Sequence, residues 1–312
     1  MSRFAVQLRS TTPFGHCNSV RRLQRRMRSF TEIKSKKGVE MEKTILSSLK
    51  TFMKKRNKLS SKIDNLLVDL HKEYENLDYD FSRNGEAAIL ARIADVGGIE
   101  NIFDVGANNG IWSVIASELF PHSAIHSFEI VPETYGQLVK NCGHLKNTFC
   151  HNFGLSDIEG FTNVFFAPGL SGLATCVPNF SENFHKYQPQ KIEAEIMTGD
   201  TFCTKNEIDS IDFLKIDVEG YEHKVLLGFE EMLKNGKIKI IQFEYGYVNI
   251  DTHFLLKDFY EYLGKFQMKI GKIYPSRVDF REYSYSDENF YGPNYLAVHS
   301  SFENYIDALS EY

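Results

Sequence analysis

Nowhere does the chain reach the run of about 18 apolar residues that a membrane-spanning helix needs, so no such span is expected. Cysteine is scarce and odd in number. The five, Cys17, Cys142, Cys150, Cys176 and Cys203, include no close pair. Those spacings suggest neither a disulfide framework nor a zinc site, and they point to free thiols in a reducing, cytoplasmic compartment. No histidine stands at metal-ligand spacing from another; His126 and His223 are lone candidates, more simply read as packing residues. Net positive charge is also missing. The formal charge is −5 and no basic domain stands out in the centre or C-terminal half, so nucleic acid is not the expected partner. What is present, 42% hydrophobic and 25% charged residues over 312 positions, is the composition of one large globular domain with extensions.

The ends differ from the middle. Residues 1–40 carry Arg3, Arg9, Arg21, Arg22, Arg25, Arg26 and Arg28 with no acidic residue before Glu32, the profile of a mitochondrial or plastid transit peptide or of a disordered basic tail. Residues 41–80 follow as a helical extension, in which Ile45, Leu46, Leu49, Phe52 and Met53, then Ile63, Leu66, Leu67 and Leu70, recur at three- and four-residue spacing. Its lysine-rich polar positions suit packing on its own domain, an acidic membrane surface or a partner. A catalytic domain is expected over 81–302, and a tail over 303–312.

Within 81–302, helical and strand patterns alternate. Helices are expected at Glu86–Val96, Trp112–Leu119, Glu133–Cys142, Glu222–Lys234 and Thr252–Phe266. Strands are expected at Asn101–Val105, Ala124–Glu129, Thr148–Phe153, Asp212–Ile216, Ile238–Phe243, Met268–Tyr274 and Tyr295–His299, with a small hairpin strand at Phe161–Phe166. Ala167–Gln190, with its glycines and prolines, reads as a long, lid-like loop. Such alternation implies a mostly parallel, seven-stranded sheet with helices on both faces.

The sharpest motif is DVGANNG, Asp104 to Gly110, between a strand and a helix. Ligands of open α/β sheets bind at this kind of turn, and Gly106 and Gly110 suit close approach of backbone to a ligand. The G-x-x-x-G spacing is not that of dinucleotide folds, and Asp104 would repel a pyrophosphate while accepting from an ammonium group. That favours S-adenosylmethionine over NAD. Glu129, at the next strand end about 25 residues on, is placed to take both ribose hydroxyls. The cofactor wall is expected from Asp104, Gly106, Ala107, Asn108, Gly110, Glu129, Ile130, Ser156 and Asp157, the last two at the turn GLSD. In FLKIDVEGYE, Lys215 and Asp217 should share a strand face, with Asp217 and Glu219 emerging at the rim as candidate catalytic acids or ligands of a divalent metal. Glu244 in IIQFEYG completes the rim. The late aromatics Tyr283, Tyr285, Phe290, Tyr291 and Tyr295 suit core packing better than a stacking wall.

DVGANNG, SFEIVP, GLSD and KIDVEGYE followed by VLLGFEEML resemble, in order, the blocks of the FkbM-type methyltransferases, with SRNGEAAIL similar to the segment before them. The resemblance covers roughly Phe81 to His299 and departs from the family at Gly136 and Tyr221. It implies a class I (Rossmann-like) methyltransferase that moves a methyl group from S-adenosylmethionine to a hydroxyl of a sugar or small natural product. It carries cofactor roles onto Asp104, Gly106, Asn108, Gly110 and Glu129, with Asp157, and the fourth-strand acid onto Asp217. The alternative is a binding protein that keeps the fold without methyl transfer. Substrate, oligomeric state and metal use are not specified.

Overall fold

The computed structural model describes residues 41–178 and 189–311. The basic segment 1–40, Cys17 within it and residues 179–188 of the expected lid lie outside the described residues. The chain divides into two compact units between Asp69 and Leu70. In the first unit the helical pattern is interrupted rather than continuous. Residues 41–53 are helical, Arg56 takes a left-handed φ of 46°, and the Asn57 side chain accepts from the N–H groups of Leu59 and Ser60 (3.1 and 2.9 Å), capping helix α1, Lys58–Tyr74. Among the described residues, no helix is long and apolar enough to cross a membrane.

The second unit is built on strands β1 (Asn101–Val105), β2 (Ala124–Phe128), β3 (Thr148–His151), β4 (Gly154–Leu155), β5 (Gly160–Ala167), β6 (Leu170–Thr175), β7 (Gln190–Met197), β8 (Ile211–Ile216), β9 (Ile238–Glu244), β10 (Met268–Tyr274), β11 (Arg277–Phe280) and β12 (Asn294–His299). The main sheet has eight strands in the order β11-β10-β12-β9-β8-β1-β2-β3. The run β3-β2-β1-β8-β9 is parallel, and β12, β10 and β11 pair antiparallel. The seven expected strands are all there in class I methyltransferase arrangement. The sheet is mixed, however: β12 runs antiparallel between β9 and β10, and Pro275 and Ser276 turn the chain back into an eighth, antiparallel edge strand.

Strand alternation splits the core in two. Phe103, Val105, Leu214, Ile216 and Ile241 face Phe202, Val225, Phe229 and Phe259 on one side. On the other, Ile102, Phe213, Ile240 and Val298 face Ile89, Ile93, Trp112 and Ala116. The region after 302, expected as a tail, holds the helix Glu303–Ser310, whose Tyr305 and Leu309 join that second core.

Three expectations fail for tertiary reasons. Ala167–Gln190 is not all loop: Pro168 and Gly169 (φ 80°) form a tight turn, Ala167 pairs Leu170, and β6 joins a four-stranded sheet, β4-β7-β5-β6. Thr252–Phe266 is split by His253 (φ 56°) into Val248–Thr252 and Leu256–Gly264, and Glu288 accepts the N–H of Lys257 (2.8 Å) at the new helix start. Glu222–Lys234 is likewise two helices, Glu222–Leu227 and Glu230–Lys234, because the Asp200 carboxylate accepts from Glu231 and Met232 (2.9 and 3.0 Å) and caps the second one.

Gly228 at that break abuts the turn before the site. A Cβ there would lie 2.0 Å from the Ser156 carbonyl oxygen. Helix propensity alone makes Ala better than Gly by about 1 kcal/mol. Overpacking reverses the sign, so Gly228→Ala should lower stability by about 1–3 kcal/mol in urea unfolding. A neutral or stabilised variant would contradict this packing.

Candidate active site

The strand order reverses direction between β1 and β8, and open sheets bind ligands outside the carboxyl ends of strands at such a point. The two ends are tied together: the N–H of Asp217 donates to the Val105 carbonyl (2.9 Å), and those of Gly106 and Ala107 donate to Phe128 O (3.0 and 2.8 Å). Gly106 (φ 85°) faces the Asp217 carbonyl, which a Cβ would approach to 1.8 Å. Gly110 (φ 85°) precedes the helix Ile111–Leu119, and a Cβ there would lie 2.6 and 2.7 Å from Cys142 Sγ and Leu138 Cδ1. Neighbouring protein and the positive φ together already require glycine at both positions.

A cavity with about 770 Å3 of empty space, its open mouth included, lies over these ends. Of the expected residues, Gly106, Asn108, Glu129, Ile130, Asp217 and Glu219 line it. Asp104, Ala107, Gly110, Ser156 and Asp157 do not line its wall. Phe128, Leu155, Gly172, Thr175, Cys176 and Tyr221 also line it and were not anticipated as cofactor residues. The sequence touches Leu155 through the GLSD turn, Gly172, Thr175 and Cys176 through the lid-like segment, and Tyr221 through its departure from the family pattern.

Glu129 is nearly buried. Its Oε2 accepts from Asn108 N–H (2.9 Å) and its Oε1 from Val131 N–H (2.8 Å). Burial still pushes its carboxyl up to about 7. Asn108, with φ 50°, turns a buried Oδ1 that lacks a hydrogen-bond partner.

Asp104 sits below the wall, fully buried. Its Oδ2 accepts from Ser113 Oγ (2.6 Å), which also contacts Ser127 Oγ (2.8 Å), and its Oδ1 lies 3.5 Å from Lys215 Nζ. Burial raises its carboxyl although Lys215 opposes the shift. It therefore supports the loop from beneath rather than facing the cavity. Lys215, also buried, donates to Asp217 Oδ2 (2.9 Å), as the shared strand face implied. Burial disfavours its ammonium, but the charges of Asp217, Asp104 and Glu86 reverse the effect and hold the group charged.

Beyond Asp217 the chain turns at Glu219 (φ 53°) and Gly220 (φ 99°), and Thr175 Oγ1 donates to the Glu219 carbonyl (2.6 Å), fixing β6 against this turn. Burial, then the charges of Asp217 and Glu222, lift the Glu219 carboxyl well above its ordinary value; burial and the same rim acids do so for Glu244. Asp157 is instead held by Lys224 (2.7 Å), which overcomes burial and lowers its carboxyl. His126 is half-buried beside Phe103, Phe149 and His151, where desolvation pushes it down to about 4, and His223 stacks on Phe254. Tyr295 belongs to the core and Phe290 stacks on Tyr245 and Tyr247.

The methyltransferase FkbM domain family matches residues 104–269. Over 159 residues the chain is 26% identical to the hexuronic acid methyltransferase AglP of Haloferax volcanii, covering 50% of this chain and 61% of that protein. Over 156 residues it is 26% identical to the methyltransferase sdnD of Sordaria araneosa, covering 42% and 60% respectively. The chain thus spans about three fifths of the length of these relatives. Among solved structures, Aeropyrum pernix fibrillarin, in complex with natively bound S-adenosyl-L-methionine, superposes with TM-score 0.36 at 13% identity, covering 68% of this chain and 73% of that one.

Glu129 provides a pH test. A ribose held there would donate to its ionised form, which gains population as pH rises through about 7. Between pH 6 and 8, affinity for S-adenosylhomocysteine should rise up to about tenfold. Calorimetry on Glu129→Gln should find weaker binding with that slope gone; an unchanged slope would remove Glu129 from the ligand contact.

Proposed function

The chain belongs to the FkbM-type methyltransferase family, and from that premise we propose that it transfers a methyl group from S-adenosylmethionine to a hydroxyl of a sugar or small natural product. The observation that carries this reading is the pairing, across one cavity at the sheet's switch point, of the buried Glu129 carboxylate with the rim acid Asp217. The residues present fit the cofactor. Glu129 keeps free lone pairs for ribose hydroxyls, the unpartnered Asn108 Oδ1 can accept a further donor, and Phe128, Ile130, Leu155 and Ile196 offer apolar walls to a purine.

When bound, the cofactor supplies an electrophilic methyl on a sulfonium. The protein's part is to hold the acceptor oxygen in line and to receive its proton. Asp217 takes that role: one oxygen is anchored by Lys215 and the side chain is about one-third exposed, so its other oxygen is available to a hydroxyl. The β5–β6–β7 sheet contributes Val164, Gly172, Thr175 and Ile196 to the cavity wall and limits water access. That the Haloferax relative is a hexuronic acid methyltransferase by name supports a sugar-type acceptor.

Release of S-adenosylhomocysteine from S-adenosylmethionine in the presence of neutral and uronic-acid glycans tests the function directly. Asp217→Asn should reduce this release by at least about a hundredfold while S-adenosylhomocysteine affinity stays within a few-fold. Full turnover in that variant would remove Asp217 from the mechanism.

A further inference from the structure

Beside the cofactor cavity, a second cleft is lined by Tyr79, Asp217, Glu219, Glu222, Glu244 and Tyr247, among others, with no lysine, arginine or histidine among its lining residues. One carboxylate oxygen each from Asp217, Glu219 and Glu244 come within 4.8 Å of one another. Hard divalent cations bind oxygen at about 2.0–2.6 Å, so two ligands of one ion stand up to about 5 Å apart. The three oxygens already meet that limit.

An independent feature points the same way. Glu222 is 1% exposed, and its Oε1 accepts from Val218 and Gly220 N–H (3.1 Å each). Its Oε2 is buried without a hydrogen-bond partner, on a residue lining this same cleft. A buried carboxylate oxygen without a donor is costly, and Lys215, the buried ammonium beside Asp217, is already shared by Asp217 and Asp104. The turn that presents these groups is held in place: Glu219 sits at φ 53°, and its carbonyl is pinned by Thr175.

We infer that Asp217, Glu219 and Glu244 form a binding site for a hard divalent cation, Mg2+ or Mn2+, with Glu222 beneath it and the remaining positions open to water or acceptor oxygens. An all-oxygen, all-carboxylate donor set selects such ions over softer metals. The site's catalytic meaning rests on the methyl transfer proposed above. A cation at this rim acidifies a hydroxyl bound to it, and it offsets the repulsion that four carboxylates would exert on an acidic sugar.

Binding is read on the full chain without cofactor, by Mn2+ electron paramagnetic resonance and calorimetry at neutral pH. One Mn2+ should bind, with competition by Mg2+, and Glu244→Gln should weaken it at least about tenfold. Glu219→Gln is the second variant, and circular dichroism checks that each folds. An absence of Mn2+ binding by wild type, or binding indifferent to both substitutions, overturns the site. If neither variant folds, the wild-type titration and its melting temperature decide: a Mn2+-dependent rise supports the site, and no rise removes it. S-adenosylhomocysteine titration of the metal-free protein separates the two readings. Mn2+ bound without S-adenosylhomocysteine keeps the cation site and removes the methyltransferase reading, and the converse result does the reverse.

Discussion

The site hangs on one buried cation. Lys215 lies in a strand whose every residue is buried, and its ammonium stands between Asp104 at 3.5 Å and Asp217 at 2.9 Å. Alone, an ammonium in that position would be neutralised or expelled. With two carboxylates it stays charged, and because Asp104 and Lys215 are register partners across β1 and β8, the charge fastens the switch point from below. The network continues through Ser113 into the helix that follows the DVGANNG loop, and through Ser127 into β2. Losing one partner of such a group costs about 3–5 kcal/mol, so loop, helix and rim acid are constrained together.

That arrangement divides the labour among the acids. Asp104 is spent internally. Asp217 is held by one oxygen and presents the other. Glu129 is held by two backbone N–H groups yet remains at the cavity wall. Further out, Glu219, Glu222 and Glu244 gather without a matching positive side chain in their cleft. Negative charge thus increases from the floor toward the acceptor side, which is where a cation, native or substrate-borne, gains most.

Much of this was legible in the sequence. Runs such as NIFDV and IDFLKI are apolar enough to be central strands only, and Lys215 two residues before Asp217 fixes their common face. Distance in the chain hid the rest. No local pattern says that Asp200 caps a helix 31 residues on, that Gly228 must clear Ser156, or that Lys224 claims Asp157. Nor does the sequence reveal that Asp104, expected at the cofactor wall, meets Lys215 and Ser113 in the buried layer beneath it. Pro168 and Gly169 were read as loop composition when, between strand-forming residues, they mark a hairpin turn.

The last point bears on specificity. The main sheet supplies the cofactor side from segments that follow β1, β2 and β8, whereas Val164, Gly172, Thr175, Cys176 and Ile196 come from or adjoin the smaller sheet. The two meet at Thr175, which donates to the Glu219 carbonyl, at Leu155 and Met197 packed in the first core, and at Ile130 and Val131 packed on Val164, Phe166 and Ala194. A substitution in the hairpin can therefore reshape the acceptor side while the Lys215 network stays intact. On the proposed reading, motifs that identify the cofactor loop carry little about the acceptor, because part of the cavity wall lies in a different sheet and answers to different packing.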